Sequence, residues 1–184
     1  MYDFVIIHGS FGSPFENWTP WLFNALIKKG KKVLVPQLPT INQNFQNWEK
    51  TLDSYSQFID VNTSFIAHSL GPAFVVDYLI KNKIKIKNLY FVAPFYGFIN
   101  IKEFDDVNKT FFFLSDLSLC KSYFENAICL YSDDDPYVPF DMSRDFSDKL
   151  TAEKIIISGG KHLNASAGFI EFAELLREIE TNDF

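Results

Sequence analysis

The chain has 184 residues, a length that fits one domain with enough material for a substantial core. Its composition, 47% apolar and 22% charged, is that of an ordinary globular protein. A formal charge of −6 without clustered Lys or Arg argues against nucleic acid or an anionic membrane as partner, because neutralising phosphates takes concentrated positive charge.

The opening residues, MYDFVIIHG, carry no basic leader and no small-residue cleavage site, and no apolar run approaches the roughly 20 residues that span a bilayer. A cytoplasmic location is expected. Short β-branched or aromatic runs then recur along the chain: FVIIH (4–8), KVLVP (32–36), TSFIAH (63–68), NLYFVA (88–93), AICLYS (127–132) and EKIIIS (153–158). Each is nearly continuously apolar, the pattern of strands covered on both faces. Helical patterns lie between them. Residues 16–29 close at Gly30, and residues 43–60 place Phe45, Trp48, Leu52, Tyr55 and Ile59 on one stripe. Residues 71–82, 140–150 and 167–180 are similar. Such alternation predicts an α/β fold, a mainly parallel sheet of about six strands between two helical layers, in a single domain over 1–184. Residues 95–126 show no clean period and read either as a small helical excursion or partial lid over the ligand crevice, or as an irregular crossover. Cys120 and Cys129 lack CxxC spacing and read as buried free thiols; with only three histidines in the chain, neither a structural metal site nor a cofactor is expected.

The chemistry starts at FIAHSLGPAF, 65–74. Strand 63–68 runs directly into helix 71–82, so Ser69 sits on the joining turn. A-H-S-L-G is the G-x-S-x-G nucleophile elbow with Ala67 in place of the first Gly. Small residues two before and two after the serine allow the sharp turn, which lifts Oγ to the top of the sheet. A serine hydroxyl needs a base, and the base needs an orienting acid. On an elbow of this kind they follow in the order Ser, Asp, His, each after a later strand. SDDDPYVPF and GGKHLN stand in those places. His8 ends the first strand and His68 adjoins the serine, which leaves His162 as base. Asp133, Asp134 and Asp135 are candidates for the acid. Asp135, fixed by Pro136, is preferred, and the other two read as a solvated turn. Two amides must face the developing oxyanion. Leu70 N–H supplies one, and the loop HGSFGSP (8–14) the other, with Ser10 the first choice and Phe11 the second. That loop lacks the third Gly of a dinucleotide fingerprint and the Gly-Lys of a P-loop, so nucleotide binding is not expected. Phe11, Phe15, Trp18, Phe95, Tyr96 and Tyr137 flank the expected crevice and suggest a small apolar acyl group, with Phe11, Trp18, Phe95 and Tyr137 as the substrate pocket.

With these residues in place, the sequence resembles the small serine hydrolases of the α/β-hydrolase superfamily, the retinoblastoma-binding protein 9 and YdeN-type family. HGSFGSPFENWTPWL (8–22), VPQLPT (35–40), Trp48, AHSLGPAF, VAPFYG, YSDDDPYVPF and GGKHLNASAGF (159–169) are similar in order and spacing. The resemblance covers nearly the whole chain and departs from the usual pattern at Ala67. It implies Ser69 as nucleophile, Asp135 as acid and His162 as base, on a compact sheet with little or no cap. It also implies esterase activity toward simple esters. Three functions follow as expectations: a carboxylic ester hydrolase acting on a small-molecule ester, a peptidase or amidase on the same triad, and a protein-binding module with low turnover.

Overall fold

Six apolar runs pair into one sheet in the computed structural model, which describes residues 1–184. The strands are β1 (Phe4–Ile7), β2 (Val33–Leu34), β3 (Ser64–His68), β4 (Asn88–Val92), β5 (Asn126–Ser132) and β6 (Glu153–Ile157). Their order is β2-β1-β3-β4-β5-β6, and all five pairings are parallel. Alternate residues serve opposite faces. Val5, Ile7, Phe65, Ala67, Leu89 and Phe91 face one core, and Phe4, Ile6, Ile66, Tyr90 and Val92 face the other. Helices α1 (Thr19–Lys28) and α6 (Ala173–Asp183) cover the second face through Leu22, Leu26, Leu175 and Ile179. The first face is covered by α2 (Phe45–Asp53), α3 (Gly71–Asn82) and α5 (Phe140–Leu150). Both thiols are free and buried. No helix is long and apolar enough to cross a membrane.

Local chemistry sets the element ends that the periodicity misplaced. Pro20 at the first turn starts α1 at Thr19 rather than residue 16, since a ring without N–H suits that position. The Asn44 side chain accepts the Asn47 N–H and caps α2, which stops at Asp53; Tyr55 and Ile59, the rest of the expected stripe, flank a 3₁₀ turn over Ser56–Phe58. Gly168, at φ 91°, breaks the last pattern, so α6 begins at Ala173 and not at 167. The strand at 32–36 shrinks to two residues beside Pro36, which cannot donate to a ladder. β6 is also not covered on both faces as expected. It is the sheet edge, with Glu153, Lys154 and Ile156 exposed, and its charged residues discourage pairing with another chain.

Residues 95–126 form a helical excursion: α4 (Lys102–Asn108) followed by short 3₁₀ turns at 109–111 and 117–122. Phe111 and Phe112 pack it into the core, the former against Trp48 and Phe74. A polar anchor joins it to α3. Tyr96 Oη donates to Asp77 Oδ2 at 3.0 Å and accepts the Leu114 N–H at 2.8 Å. Asp77 is 1% exposed and its Oδ1 has no partner.

Burial pushes the Asp77 carboxyl up to about 6, with its hydrogen bonds to Ser115 and Tyr96 pulling the other way. The native chain therefore holds this proton more tightly than the unfolded one. The stability it contributes is complete at pH values below the ordinary aspartate range and is lost as pH rises through 6. Asp77→Asn keeps an acceptor for Tyr96 and removes the charge. It should stabilise the protein by about 3 kcal/mol at pH 8 and leave pH 4 stability unchanged, measured by urea melts at both pH values.

Candidate active site

The strand order places the carboxyl ends of β1 and β3 side by side while their crossovers leave in opposite directions, to β2 and to β4. A crevice opens at such a switch point in an open parallel sheet. Only Ser69 and Leu70 separate β3 from α3. Ser69 adopts φ 59°, in the left-handed region that side chains rarely take, and its N–H donates to Val92 O at 2.9 Å. The small neighbours are needed against the adjacent strand, and not only within the turn. A Cβ on Gly71 would sit 3.0 Å from Ile7 O, and one on Gly9 would sit 2.9 Å from the Ser69 Cβ.

Three side chains from distant loops meet above this edge. Ser69 Oγ donates to His162 Nε2 at 3.0 Å, and His162 Nδ1–H donates to Asp135 Oδ2 at 2.7 Å. The second Asp135 oxygen accepts the N–H groups of Tyr137 and Val138, at 2.8 and 3.0 Å. The carboxylate is thus held by the turn that Pro136 shapes. The His162 and Asp135 side chains are only 10% and 4% exposed, so little water competes for these bonds. Such a chain can draw a proton from the serine hydroxyl onto the imidazole while the carboxylate fixes ring and tautomer.

Asp133 and Asp134 are exposed, as expected of a solvated turn, and they also bond the histidine loop. Asp133 accepts Ser158 Oγ–H and Gly159 N–H, both at 2.9 Å, and Asp134 accepts Lys161 N–H at 2.7 Å and Ser132 Oγ–H at 2.7 Å. The Gly160 N–H donates to Ser132 Oγ at 2.9 Å. The acidic triplet therefore clamps the 158–162 backbone as well as the imidazole, and its bonds to Ser132 and Lys161 lower the Asp134 carboxyl from its ordinary value. His68 grips the same loop from beneath. Its Nε2 bonds the His162 carbonyl at 3.0 Å and so must carry the hydrogen. Burial, then repulsion by His162, lowers its pKa to about 3 and keeps it neutral. His8 is likewise structural, with Nδ1–H donating to Gly9 O and Nε2 accepting Leu38 N–H.

Ser10 and Leu70 have amides without an acceptor in the protein, whereas the Phe11 N–H donates to Gln43 Oε1 at 3.0 Å. Of the two loop candidates, Ser10 is the one left free. A cleft of about 220 Å³ opens over Ser69 and His162. Phe95 and Tyr137 line it as expected, joined by Ile99, Phe104 and Val138; the opposite wall is polar, with Ser13, Glu16, Asn17, Thr19 and Asn164. Trp18 is a correction. It is fully buried beneath the cleft, and its Nε1–H donates to Leu163 O at 3.1 Å, so it braces the histidine loop. Phe11 also lies outside the cleft, against Phe104 and along a separate groove with Leu38 and Ile41. Phe15 is 86% exposed, and Tyr96 is consumed by Asp77.

A three-layer parallel sheet with an elbow serine, an imidazole and a carboxylate in one hydrogen-bonded chain defines an α/β-hydrolase-fold serine hydrolase. A family model described as serine hydrolase matches residues 4–180, and the chain belongs to that family. It is 27% identical over 169 residues to YdeN of Bacillus subtilis (strain 168), covering 89% of this chain and 87% of that one. The crystal structure of the ydeN gene product superposes with a TM-score of 0.89 at 22% identity, over 99% and 98% of the two chains. A YdeN-like protein from Pectobacterium atrosepticum gives 0.75 at 17% identity, over 98% and 89%. The monoacylglycerol lipase of Paleococcus ferrophilus gives 0.68 at 13%, over 86% and 85%.

Gly71→Ala should cost about 1–3 kcal/mol, because backbone carbonyls of β1 must retreat from the added methyl. The measurement is the denaturation midpoint, and an unshifted midpoint would show that β1 yields freely.

Proposed function

We propose that the chain is a carboxylic ester hydrolase for small acyl esters. The observation that carries this reading is His162 bridging Ser69 Oγ and Asp135 Oδ2 at 3.0 and 2.7 Å. Ser69 Oγ attacks the ester carbonyl carbon as its proton passes to His162 Nε2. The Ser10 and Leu70 amides receive the negative charge on the carbonyl oxygen, an interaction worth about 10²–10³ in rate per donor. When the tetrahedral intermediate collapses, the alkoxide leaves with the proton from Nε2, and Ser69 carries the acyl group. Water then attacks the acyl-enzyme with His162 again as base, releasing the acid and restoring Ser69. Asp135 stays ionised throughout and holds Nδ1–H.

The modest cleft favours a short acyl chain. Its apolar wall of Phe95, Ile99, Phe104 and Val138 suits that chain, and its polar wall suits the alcohol portion. The lipase of the same fold is an ester hydrolase by name, which supports esters over amides as the first substrates to try.

A fluorophosphonate probe should label Ser69 in the native protein and leave Ser69→Ala unlabelled, read by intact mass and peptide mapping; a native protein that stays unlabelled sinks the proposal. The rate with a p-nitrophenyl ester should exceed that with the matched anilide, and kcat/KM should fall as acid protonates the imidazole. Phe95→Ala enlarges the apolar wall. It should shift the preferred acyl length upward across a C2–C8 ester series, and unaltered relative kcat/KM values would exclude Phe95 from acyl recognition.

A further inference from the structure

The oxyanion loop is held by two buried amide side chains from elsewhere in the chain. Gln43 precedes α2 and is 7% exposed; Asn108 ends α4, inside the 95–126 excursion, and is 2% exposed. Their polar atoms form a closed ring with Ser10. Ser10 Oγ donates to Asn108 Oδ1 at 2.6 Å, Gln43 Nε2 donates to the same oxygen at 2.8 Å, and Gln43 Nε2 donates also to Ser10 Oγ at 3.2 Å. The remaining Gln43 atom, Oε1, accepts the Phe11 N–H at 3.0 Å. Both amide oxygens, the Gln43 amide nitrogen and the Ser10 hydroxyl are bonded within this set, which holds the loop with Phe11 at φ 55°. In that arrangement the Phe11 amide is spent on Gln43 and the Ser10 amide is not spent on anything.

We infer that Gln43 and Asn108 are positioning residues for the oxyanion hole: they select the Ser10 amide as the donor facing Ser69, and Asn108 makes that selection depend on the 95–126 segment. The inference rests on the hydrolase reading above. Its physical basis is that an oxyanion donor works only if it is already aimed when charge develops, and a Gly-flanked loop does not aim itself. Without Gln43, the Phe11 amide loses its acceptor and the Ser10 hydroxyl keeps only Asn108, so the loop backbone is free to reorient.

Gln43→Met keeps the chain's length and apolar volume and deletes the three bonds that Gln43 makes, leaving only that of Ser10 Oγ to Asn108 Oδ1. In the full-length protein it should lower kcat for a short p-nitrophenyl ester about 10- to 100-fold with KM within about twofold, since the loss falls on the charged intermediate. A trifluoromethyl ketone, which forms an oxyanion when Ser69 adds to it, should bind weaker by a similar factor. The midpoint of the acid limb of kcat/KM should not move, because the Ser69, His162 and Asp135 chain is untouched. Asn108→Ala removes only one oxygen of the ring and should give a smaller kcat loss of the same kind; it serves as the test if Gln43→Met does not fold. Native kcat in both variants, with or without a lower melting temperature, overturns the inference, as does a kcat loss accompanied by a displaced acid limb. If the native protein neither hydrolyses esters nor accepts the fluorophosphonate, the parent reading fails and takes this one with it. An active native protein with unaffected variants overturns the positioning role alone.

Discussion

The left-handed backbone at Ser69 is the constraint on which the rest of the molecule depends. A serine costs energy at φ 59°, and the surroundings supply the compensation. Its N–H is bonded to β4, its turn is pressed against β1 through Gly71, and α3 begins two residues later, buried along its first nine residues. The strain is therefore held by packing of the sheet's centre, β1-β3-β4, which is the least deformable part of the fold. Moving Oγ by an ångström would require moving a strand. That rigidity is what lets three loops meet on one atom.

The other two side chains are mounted with comparable care, by polar rather than apolar means. The 158–164 loop runs past an exposed edge strand and has little core of its own. It is fixed instead by a ring of hydrogen bonds: Ser132, Asp133 and Asp134 from the end of β5, His68 from β3, and Trp18 beside α1. His68 matters because it is neutral. A charged imidazole in that position would repel His162, and burial keeps the proton off. Two adjacent histidines thus have different duties, one holding backbone and the other bonded to Ser69 and Asp135, and the difference lies in the partners each ring meets.

The cleft has two unlike walls, one aromatic and aliphatic from the segment after β4 and β5, the other polar from the loop after β1 and from 164. The 95–126 excursion supplies most of the apolar wall. Its polar anchors include Asp77 with Tyr96 and Asn108 with Ser10, and the Phe111 and Phe112 rings pack it into the core. The segment that replaces a cap is thus part of the core on one side and part of the cleft on the other.

Much of this was legible in the sequence, for reasons of period and order. Continuous apolar runs separated by helical stripes state a parallel α/β sheet, since only strands between two helical layers can be apolar throughout. The elbow residues, the acidic turn and the late Gly-flanked histidine state their own places, because each follows a strand and the strands share one direction. What periodicity could not supply was which strand would be the edge: β6 shares the Ile run of a covered strand, and the sheet order exposes it. Nor could it separate Trp18 from Phe95, two aromatics beside the same crevice, one brace and one wall. The clamp by Asp133 and Asp134 and the ring of Gln43, Asn108 and Ser10 were equally hidden, as polar residues tens of positions apart carry no shared pattern. Local chemistry determined the elements and the reactive types; distance in space decided the neighbours, because hydrogen bonds act over about 3 Å and sequence records no such length.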